Sequence, residues 1–304
     1  MTRQVLVTGA QGFIGRHIAS AFRASGAQVL DFDIADSGSL SSAEVLNRVR
    51  HGEFDVVAHE GALTDTRLLN DKYFEVLNVA FVEQLASACA ASRTRLVHAS
   101  STSVYGLARK TGTPWVVGDE SIPEQCTGPL NAYARSKMRA EHALASCPGC
   151  DWIAFRYTNV FGSGDERKGP MMSILSQFIR TATKNSKITA FGDALTASRD
   201  FVDVELVVAA VLKAADGFGG SRRAYNLGSG VSLELAELIE WIHAFEKRSL
   251  SVELVDNPYV GRYQYVTNVD MTETNAAFQL VPRTRTDLRD SAYQYWMALQ
   301  HKEK

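Results

Sequence analysis

The sequence VLVTGAQGFIG, residues Val5–Gly15, decides the fold of this chain. A β-branched and apolar run leads into three glycines spaced three apart, and an amphipathic helical pattern follows. Gly9 permits a tight turn, Gly12 lets the backbone approach a pyrophosphate, and Gly15 lets the helix pack closely on the strand. The stretch therefore predicts a strand, a phosphate-binding turn and a helix N-terminus, which together form a dinucleotide site.

The stretch Gln28–Asp33 predicts a second strand that ends in an acid, where a ribose hydroxyl is held in such sites. No cation follows Asp33 directly, and Asp36 adds a second carboxylate. The 2′-phosphate of NADP would be repelled by both carboxylates. The sequence therefore favours NAD as the cofactor, with NADP as the alternative.

The composition is that of an ordinary globular chain. Its 304 residues, net charge of −2 and 22% charged residues suit one large domain or two lobes. No block of lysine and arginine provides the electrostatic footprint of a nucleic-acid-binding protein. We find no apolar stretch of about 20 residues, and the N-terminus is already the first strand. We therefore expect no membrane span, no secretion signal and a cytoplasmic location.

The four cysteines are too few and too scattered for a disulfide framework. Cys147 and Cys150 have the spacing of a redox or metal pair, but a zinc site would need a second pair, which the sequence lacks. We interpret them as part of a loop before a strand and predict no metal site.

The first half of the chain alternates strand-like runs with helical patterns, which indicates a parallel sheet covered on both faces. The predicted strands are Gln4–Thr8, Gln28–Asp33, Asp55–His59, Arg95–Ser100 and Trp152–Arg156. The rhythm breaks after Phe161, where a polar, glycine-rich segment begins. We predict one unit of residues 1–161 plus 196–227, in which 196–227 returns to the sheet, and a smaller lobe of 162–195 plus 228–304.

Tyr133 and Lys137 lie four residues apart, which places both side chains on one face of a predicted helix. A lysine ammonium beside a phenol stabilises the phenolate and lowers the tyrosine pKa, so that tyrosine becomes a usable base near neutrality. The spacing alone is common on solvated helix faces, and its meaning depends on the other motifs.

Together, the G-x-x-G-x-x-G spacing and the Tyr133–Lys137 pair resemble the extended short-chain dehydrogenase/reductase family, over nearly the whole chain. The resemblance implies an α/β fold with a Rossmann-type doubly wound parallel sheet that binds NAD(P). It also implies a smaller α/β substrate-binding lobe for a nucleotide-diphosphate sugar. The chain departs from the family where only residues 34–52 separate the second and third strands. The family has an additional strand there, which lines the adenine pocket.

The resemblance also assigns site residues. Ser101 occupies the position of the family's catalytic serine or threonine, which hydrogen-bonds the sugar oxygen under oxidation, while Arg156 is expected to be structural. The residues expected to bind the cofactor are Gly9, Gln11, Gly12, Phe13, Ile14, Gly15, Asp33, Ala62, Asn78, Ser100, Tyr133, Lys137 and Tyr157. Those expected to bind the substrate are Ser101, Thr102, Asn159, Lys168, Arg199, Arg262 and Tyr263.

The two residues after Ser101 help to distinguish a sugar epimerase from a sugar dehydratase. The sugar 4,6-dehydratases are similar to this family but carry an Asp-Glu pair there, which moves protons to and from the substrate. Here those positions are Thr102 and Ser103, so no acid is available. The sequence therefore disfavours dehydration.

Four further segments narrow the resemblance: HEGA at 59–62, KG at 168–169, RDFV at 199–202 and GRYQ at 261–264. In combination and order they resemble the ADP-glycero-manno-heptose 6-epimerases. That resemblance implies oxidation at the exocyclic carbon and return of the hydride, with Tyr133 and Lys168 as opposed acid/base groups. Without the resemblance to the heptose epimerases, Lys168 would be interpreted as part of a solvated charged loop.

Arg199 and Arg262 are candidates for binding the substrate diphosphate. Guanidinium groups match phosphate oxygens in a way that a lysine point charge does not. The aromatic neighbours Phe201 and Tyr263 favour a buried, anchored arrangement over surface arginines.

Two alternatives stay open. A UDP-hexose 4-epimerase would need Ser101, Tyr133 and Lys137 but not Lys168. An NAD(P)-binding redox sensor would bind cofactor and a partner protein without turnover, although such proteins tend to lose the tyrosine or the lysine. The resemblance also implies pairing through helices around 76–88 and 132–145, and hence a homodimer or higher homo-oligomer.

Overall fold

The computed structural model describes residues 2–36, 40–68, 70–107, 126–261 and 263–302. Its strands are β1 (Gln4–Thr8), β2 (Gln28–Phe32), β3 (Val56–His59), β4 (Arg95–Ser101), β5 (Trp152–Tyr157), β6 (Asn159–Phe161), β7 (Lys187–Phe191), β8 (Ser198–Asp203), β9 (Arg223–Leu227), β10 (Ser232–Glu234) and β11 (Ser251–Val255). Its helices are α1 (Phe13–Ala24), α2 (Ser42–Arg50), α3 (Asp71–Phe74), α4 (Phe81–Ser92), α5 (Ala132–Ser146), α6 (Ile174–Asn185), α7 (Val204–Ala215), α8 (Leu235–Glu246), α9 (Thr272–Phe278) and α10 (Arg285–Lys302).

The centre of the molecule is a six-stranded parallel sheet in the order β2-β1-β3-β4-β5-β9. Helices α1 and α7 pack on one face, and α2, α4 and α5 pack on the other. Val5 and Val7 face the first group and Leu6 faces the second, which is why β1 is a continuous apolar run. The predicted Rossmann-type doubly wound α/β class is confirmed.

The connection between β2 and β3 is as short as the sequence indicated. Its described residues form α2 but no additional strand, so β2 is the edge strand of the sheet. A capping box begins α2, because the Ser41 hydroxyl accepts from the Glu44 amide at 3.2 Å while the Ser41 amide donates to the Glu44 carboxylate at 2.8 Å. The adenine end of the site is therefore built without the family's extra strand.

A single long helix spans Asp71–Ser92, with a π-helical segment at Glu75–Ala80 between α3 and α4. The helix has 22 residues, and an 18-residue window of it has a mean hydropathy of 1.2, so by length and composition alone it could cross a membrane. Buried core helices of globular proteins can be equally long and apolar. This helix packs against α2 and α5.

The second lobe contains two small sheets, β10-β8-β6 and β11-β7, around a core shared by α6, α8 and α10. Two segments differ from the predicted division. Of residues 196–227 only β9 returns to the large sheet, because β8 pairs with β6 and β10 instead. Phe278 of α9 packs on Phe155 and Tyr225 beside the large sheet, at ring-centroid distances of 5.0 and 4.9 Å, rather than in the lobe. The division itself stays a prediction.

A buried ion pair joins α5 to β5 beneath the C-terminal edge of the sheet. Arg156 Nη2 donates to Glu141 Oε2 at 2.6 Å, and both side chains are 1% exposed. Arg156 also donates to the Tyr105 hydroxyl at 3.1 Å. The charges of Arg156 and Glu141 thus compensate each other inside the protein, which agrees with the structural role predicted for Arg156.

Candidate active site

A cavity of about 1340 Å³ runs along the carboxyl ends of β1, β3 and β4 and continues into the space facing the second lobe. Open α/β sheets bind their ligands at this edge. The volume exceeds the roughly 300–1,000 Å³ of a site for one small ligand. The cavity therefore has room for a dinucleotide and a second molecule.

The glycine turn forms one end of the cavity. Gly9 has a φ of 67°, and a Cβ there would lie 2.6 Å from the Gly61 amide nitrogen. A Cβ on Gly15 would lie 2.3 Å from the Gly9 carbonyl oxygen. Gly12 caps α1 without a side-chain hydrogen bond, so the first amides of the helix remain available for an anion. The turn fits a pyrophosphate and tolerates no side chain at Gly9 or Gly15.

Asp33 lies in the cavity wall just beyond the end of β2. Its carboxylate accepts from the backbone amides of Gln11 at 3.1 Å and Ala35 at 3.0 Å, which fixes its direction. The stacked rings of Phe32 and Phe81, 6.2 Å apart, also line this end. A carboxylate for a ribose and flat apolar walls for a base fit the adenosine half of NAD.

Tyr133, Ser101 and Lys137 converge where β4 ends and α5 begins. Ser101 lies close enough to Tyr133 to lower the tyrosine pKa, and Lys137 Nζ donates to the Ala99 carbonyl at 2.7 Å. Asn131 caps α5 by accepting from the Ala134 amide at 2.9 Å, which fixes the turn that carries Tyr133. The predicted catalytic serine, tyrosine and lysine thus meet in one cavity wall.

The pKa of Tyr133 is shifted upward, whereas the sequence predicted a downward shift caused by Lys137. Burial raises the pKa of Tyr133 to about 12, and the hydrogen bond from Ser101 only partly opposes that effect. Burial also lowers the pKa of Lys137 to about 8. The predicted lowering of the tyrosine pKa by Lys137 was wrong for the protein alone, because the amine is directed at Ala99 and stands 6.0 Å from the tyrosine ring centre.

Glu60 also lines the cavity and was not predicted as a site residue. It accepts a hydrogen bond from the Tyr157 hydroxyl at 3.0 Å, and burial raises its pKa to about 7. The sequence contained a signal, since an acid directly follows the buried strand β3 inside an otherwise apolar stretch. Such an acid is costly to bury unless it has a partner.

Lys168 lies in the cavity wall on the 3₁₀ segment Asp165–Met171. It is half-buried, and burial lowers its pKa while the charge of Asp165 opposes that effect. Asp165 is fully buried and accepts from the Tyr295 hydroxyl of α10 at 2.7 Å. This geometry favours the acid/base interpretation over a solvated charged loop.

Arg199 is 7% exposed and lies in the cavity wall, with its guanidinium 4.7 Å from the Tyr263 ring centre. Within the described residues no carboxylate forms a salt bridge with it, although a buried cation normally has one. Asn159 shares the wall and donates to the Asp200 carbonyl at 2.7 Å. The predicted partner Arg262 lies outside the described residues.

Comparison with known proteins agrees with this geometry. Residues 5–228 match the NAD dependent epimerase/dehydratase family. The chain belongs to this family. The predictions of an extended short-chain dehydrogenase/reductase, an enzyme and an NAD cofactor are confirmed.

Solved structures from this family are similar over nearly the full chain. MoeE5 in complex with UDP-glucuronic acid and NAD is 26% identical, covers 98% of this chain and 99% of its own, and has a TM-score of 0.80. The ADP-L-glycero-D-manno-heptose-6-epimerase of Helicobacter pylori is 22% identical, with 98% and 96% coverage and a TM-score of 0.82. A UDP-N-acetylglucosamine 4-epimerase from Methanobrevibacter ruminantium M1 is 22% identical, with 99% coverage of both chains and a TM-score of 0.82.

Three of the residues assigned to the site by family resemblance do not line the cavity. Gln11 contributes only its backbone amide to Asp33. Asn78 is buried and bonds both backbone groups of Leu63, at 2.8 and 2.9 Å, so it positions the loop that follows β3. Thr102 is also buried, and its hydroxyl donates to the Tyr157 carbonyl at 3.1 Å.

The glycine turn gives a first prediction. Gly9→Ala is expected to weaken NAD binding by at least about tenfold, because its Cβ would overlap the Gly61 backbone and displace the turn from the pyrophosphate. Calorimetric titration with NAD measures the loss. Gly26→Ala is the matched control, since Gly26 has a φ of 87° but nothing within 4 Å of a Cβ. Equal NAD affinity in the two variants would contradict the proposed turn.

Proposed function

We propose that this chain is a nucleotide-sugar epimerase that inverts a sugar carbon by transient oxidation, with an ADP-heptose inverted at C6 as the substrate. The observation that carries the proposal is that one cavity holds both Tyr133, beside Ser101, and Lys168, which belongs to a different structural element. An epimerase that passes through a ketone can use a separate acid/base group for each stereoisomer, one on either side of the sugar. The similarity to the Helicobacter pylori heptose epimerase adds support at the level of the fold.

In this proposal Tyr133 removes the proton of the substrate hydroxyl in one stereoisomer. Ser101, which lies beside the tyrosine in the cavity wall, holds the sugar oxygen in place. Bound NAD supplies the hydride acceptor and a positive charge, which stabilises a phenolate in a dry site. Lys137 keeps its ammonium at the same strand end through the Ala99 carbonyl.

Lys168 takes the corresponding role for the other stereoisomer. Burial lowers its pKa, so the neutral amine that a base requires forms more readily than in a solvated lysine. Arg199, stacked on Tyr263, binds the diphosphate and so fixes the sugar between the two bases. Neither Thr102 nor Ser103 supplies the carboxylates that a 4,6-dehydratase would use, so epimerisation is the proposed outcome.

The experiment is incubation of the NAD-loaded protein with ADP-D-glycero-D-manno-heptose, with UDP-glucose and UDP-N-acetylglucosamine as competing substrates. Product NMR identifies the inverted carbon. Inversion at C6 of the heptose supports the proposal. Inversion at C4 of a UDP-hexose would support the first alternative, and NAD binding without turnover of any sugar nucleotide would support the redox sensor.

We also propose a homo-oligomer that forms through the α3–α4 and α5 surface. Tyr73 and Val76 are 60% and 64% exposed there, although both are apolar. Light scattering coupled to gel filtration is expected to give at least twice the monomer mass of 33.3 kDa. Tyr73→Glu would lower that mass, whereas an unchanged mass would place the contact elsewhere.

A further inference from the structure

We propose that Glu60 is a positioning residue that supplies the counter-charge of Lys137 and thereby keeps the catalytic lysine protonated in the buried site. The inference deepens the proposed function, since its catalytic consequence rests on Tyr133 and Lys137 acting on a sugar. Its electrostatic part concerns this chain's own residues and can be tested without a substrate.

The strand register brings the two charges together. His59 of β3 pairs with His98 of β4, so Glu60 follows at the level of Ala99. Lys137 Nζ donates to the carbonyl of that same Ala99 at 2.7 Å. Glu60 and Lys137 therefore lie at the same level of the sheet and line the same cavity, and each charge changes the pKa of the other.

The Tyr157 hydroxyl fixes the direction of the Glu60 carboxylate. Tyr157 lies at the end of β5, beside Ser101 of β4, and donates to Glu60 Oε1 at 3.0 Å. Because its ring is buried, the hydroxyl has little freedom to move to another partner. The carboxylate is thus held across the strand ends, on the level of the catalytic serine.

Among the described groups around Lys137, Glu60 is the carboxylate whose charge is not compensated by another cation. Glu141 also faces the lysine, but its charge is already compensated by Arg156. His59 and His98 are buried beside each other, and their pKa values are lowered by burial and by the lysine itself, so they stay neutral. Tyr133 is neutral in the protein alone, and it interacts with Glu60 as well.

The effects of Glu60 and Lys137 on each other's pKa have the signs expected for two opposite charges. The Glu60 charge raises the pKa of Lys137 against a larger effect of burial, which leaves that pKa at about 8. Lys137 in turn lowers the pKa of Glu60, which burial keeps at about 7. The two charge effects therefore favour the same state, in which an ionised Glu60 faces a protonated Lys137.

The test is an NMR titration of the NAD-bound protein containing ¹³C-labelled lysine, with the Lys137 signal assigned by its loss in Lys137→Met. Glu60→Gln is expected to lower the pKa of Lys137 by about one pH unit, because an opposite charge has been removed nearby. Glu60→Asp retains the charge and is expected to leave that pKa close to the wild-type value. An unchanged Lys137 pKa in Glu60→Gln would overturn the proposal.

A kinetic readout separates this proposal from the proposed function. Glu60 raises the pKa of Tyr133 as well as that of Lys137, so Glu60→Gln should move both limbs of the pH profile of kcat to lower pH. A purely structural role would lower kcat without moving the limbs, and that result would contradict the counter-charge. If the NMR pKa moves but no sugar nucleotide is turned over, the proposed function fails and the electrostatic role stands.

Discussion

Replacing Lys168 by methionine is expected to lower kcat for epimerisation by about 10²–10⁴-fold, the range typical for loss of a general acid/base group. Methionine keeps most of the length and apolar volume of the lysine stem, so the cavity wall is retained. Binding of NAD should be unchanged, because the glycine turn and Asp33 hold the cofactor from the opposite end of the cavity. The measurement is initial epimerisation rate by NMR beside an NAD titration.

Lys184→Met is the matched control for this variant. Lys184 is an exposed residue of α6 and does not line the main cavity. Its replacement removes the same charge from the same lobe and should leave kcat unchanged. Full epimerase activity in Lys168→Met would remove the lysine from the mechanism and favour a 4-epimerase that uses Tyr133 alone.

Arg156→Met is expected to lower the free energy of unfolding by about 3–5 kcal/mol. The variant leaves the Glu141 carboxylate buried and without its guanidinium partner, because both side chains are only 1% exposed. The Tyr105 hydroxyl would lose one hydrogen bond at the same time. Urea unfolding followed by circular dichroism measures the change.

The double variant Glu141→Leu with Arg156→Met separates charge from packing. Replacing a whole buried ion pair by apolar residues is often neutral, so the double variant should recover a large part of the lost stability. The difference from additivity reports the interaction between the two side chains. Additive losses would show that packing, and not the uncompensated charge, dominates the cost of Arg156→Met.

Short sequence patterns were sufficient to predict those parts of the fold whose geometry is set by neighbouring residues. The glycine turn, the buried strands and the start of α5 follow from spacing and side-chain type, because Gly9 and Gly15 lie where a Cβ would overlap backbone. Tyr133 and Lys137 meet for the same reason, since i and i+4 share a helix face. These features need no information from distant parts of the chain.

Features that depend on distant contacts were not predicted. Strand β8 pairs with β6 and β10, although its sequence does not distinguish this from pairing in the large sheet. Asn78 was assigned to the cofactor, yet its amide is engaged by the Leu63 backbone of a neighbouring loop. The direction of the Tyr133 pKa depends on how dry the site is, and burial is not visible in a four-residue spacing.

Glu60 shows most clearly what sequence alone leaves out. In the sequence, Glu60 is only one letter of the HEGA motif. Its position near Lys137 depends on strand register, and its hydrogen bond to Tyr157 joins residues 97 positions apart. Asp165 is similar, since its partner Tyr295 comes from the last helix. Both contacts are products of the tertiary fold.

The most direct test of opposed bases is the half-reaction of each C6 epimer, measured separately as the appearance of reduced cofactor in a single turnover. Lys168→Met should still oxidise the epimer served by Tyr133 but fail with the other, and Tyr133→Phe should show the reverse pattern. That crossed result is the one predicted here. Oxidation of both epimers by Lys168→Met at the wild-type rate would contradict it, and would leave Tyr133 as the base for either stereoisomer.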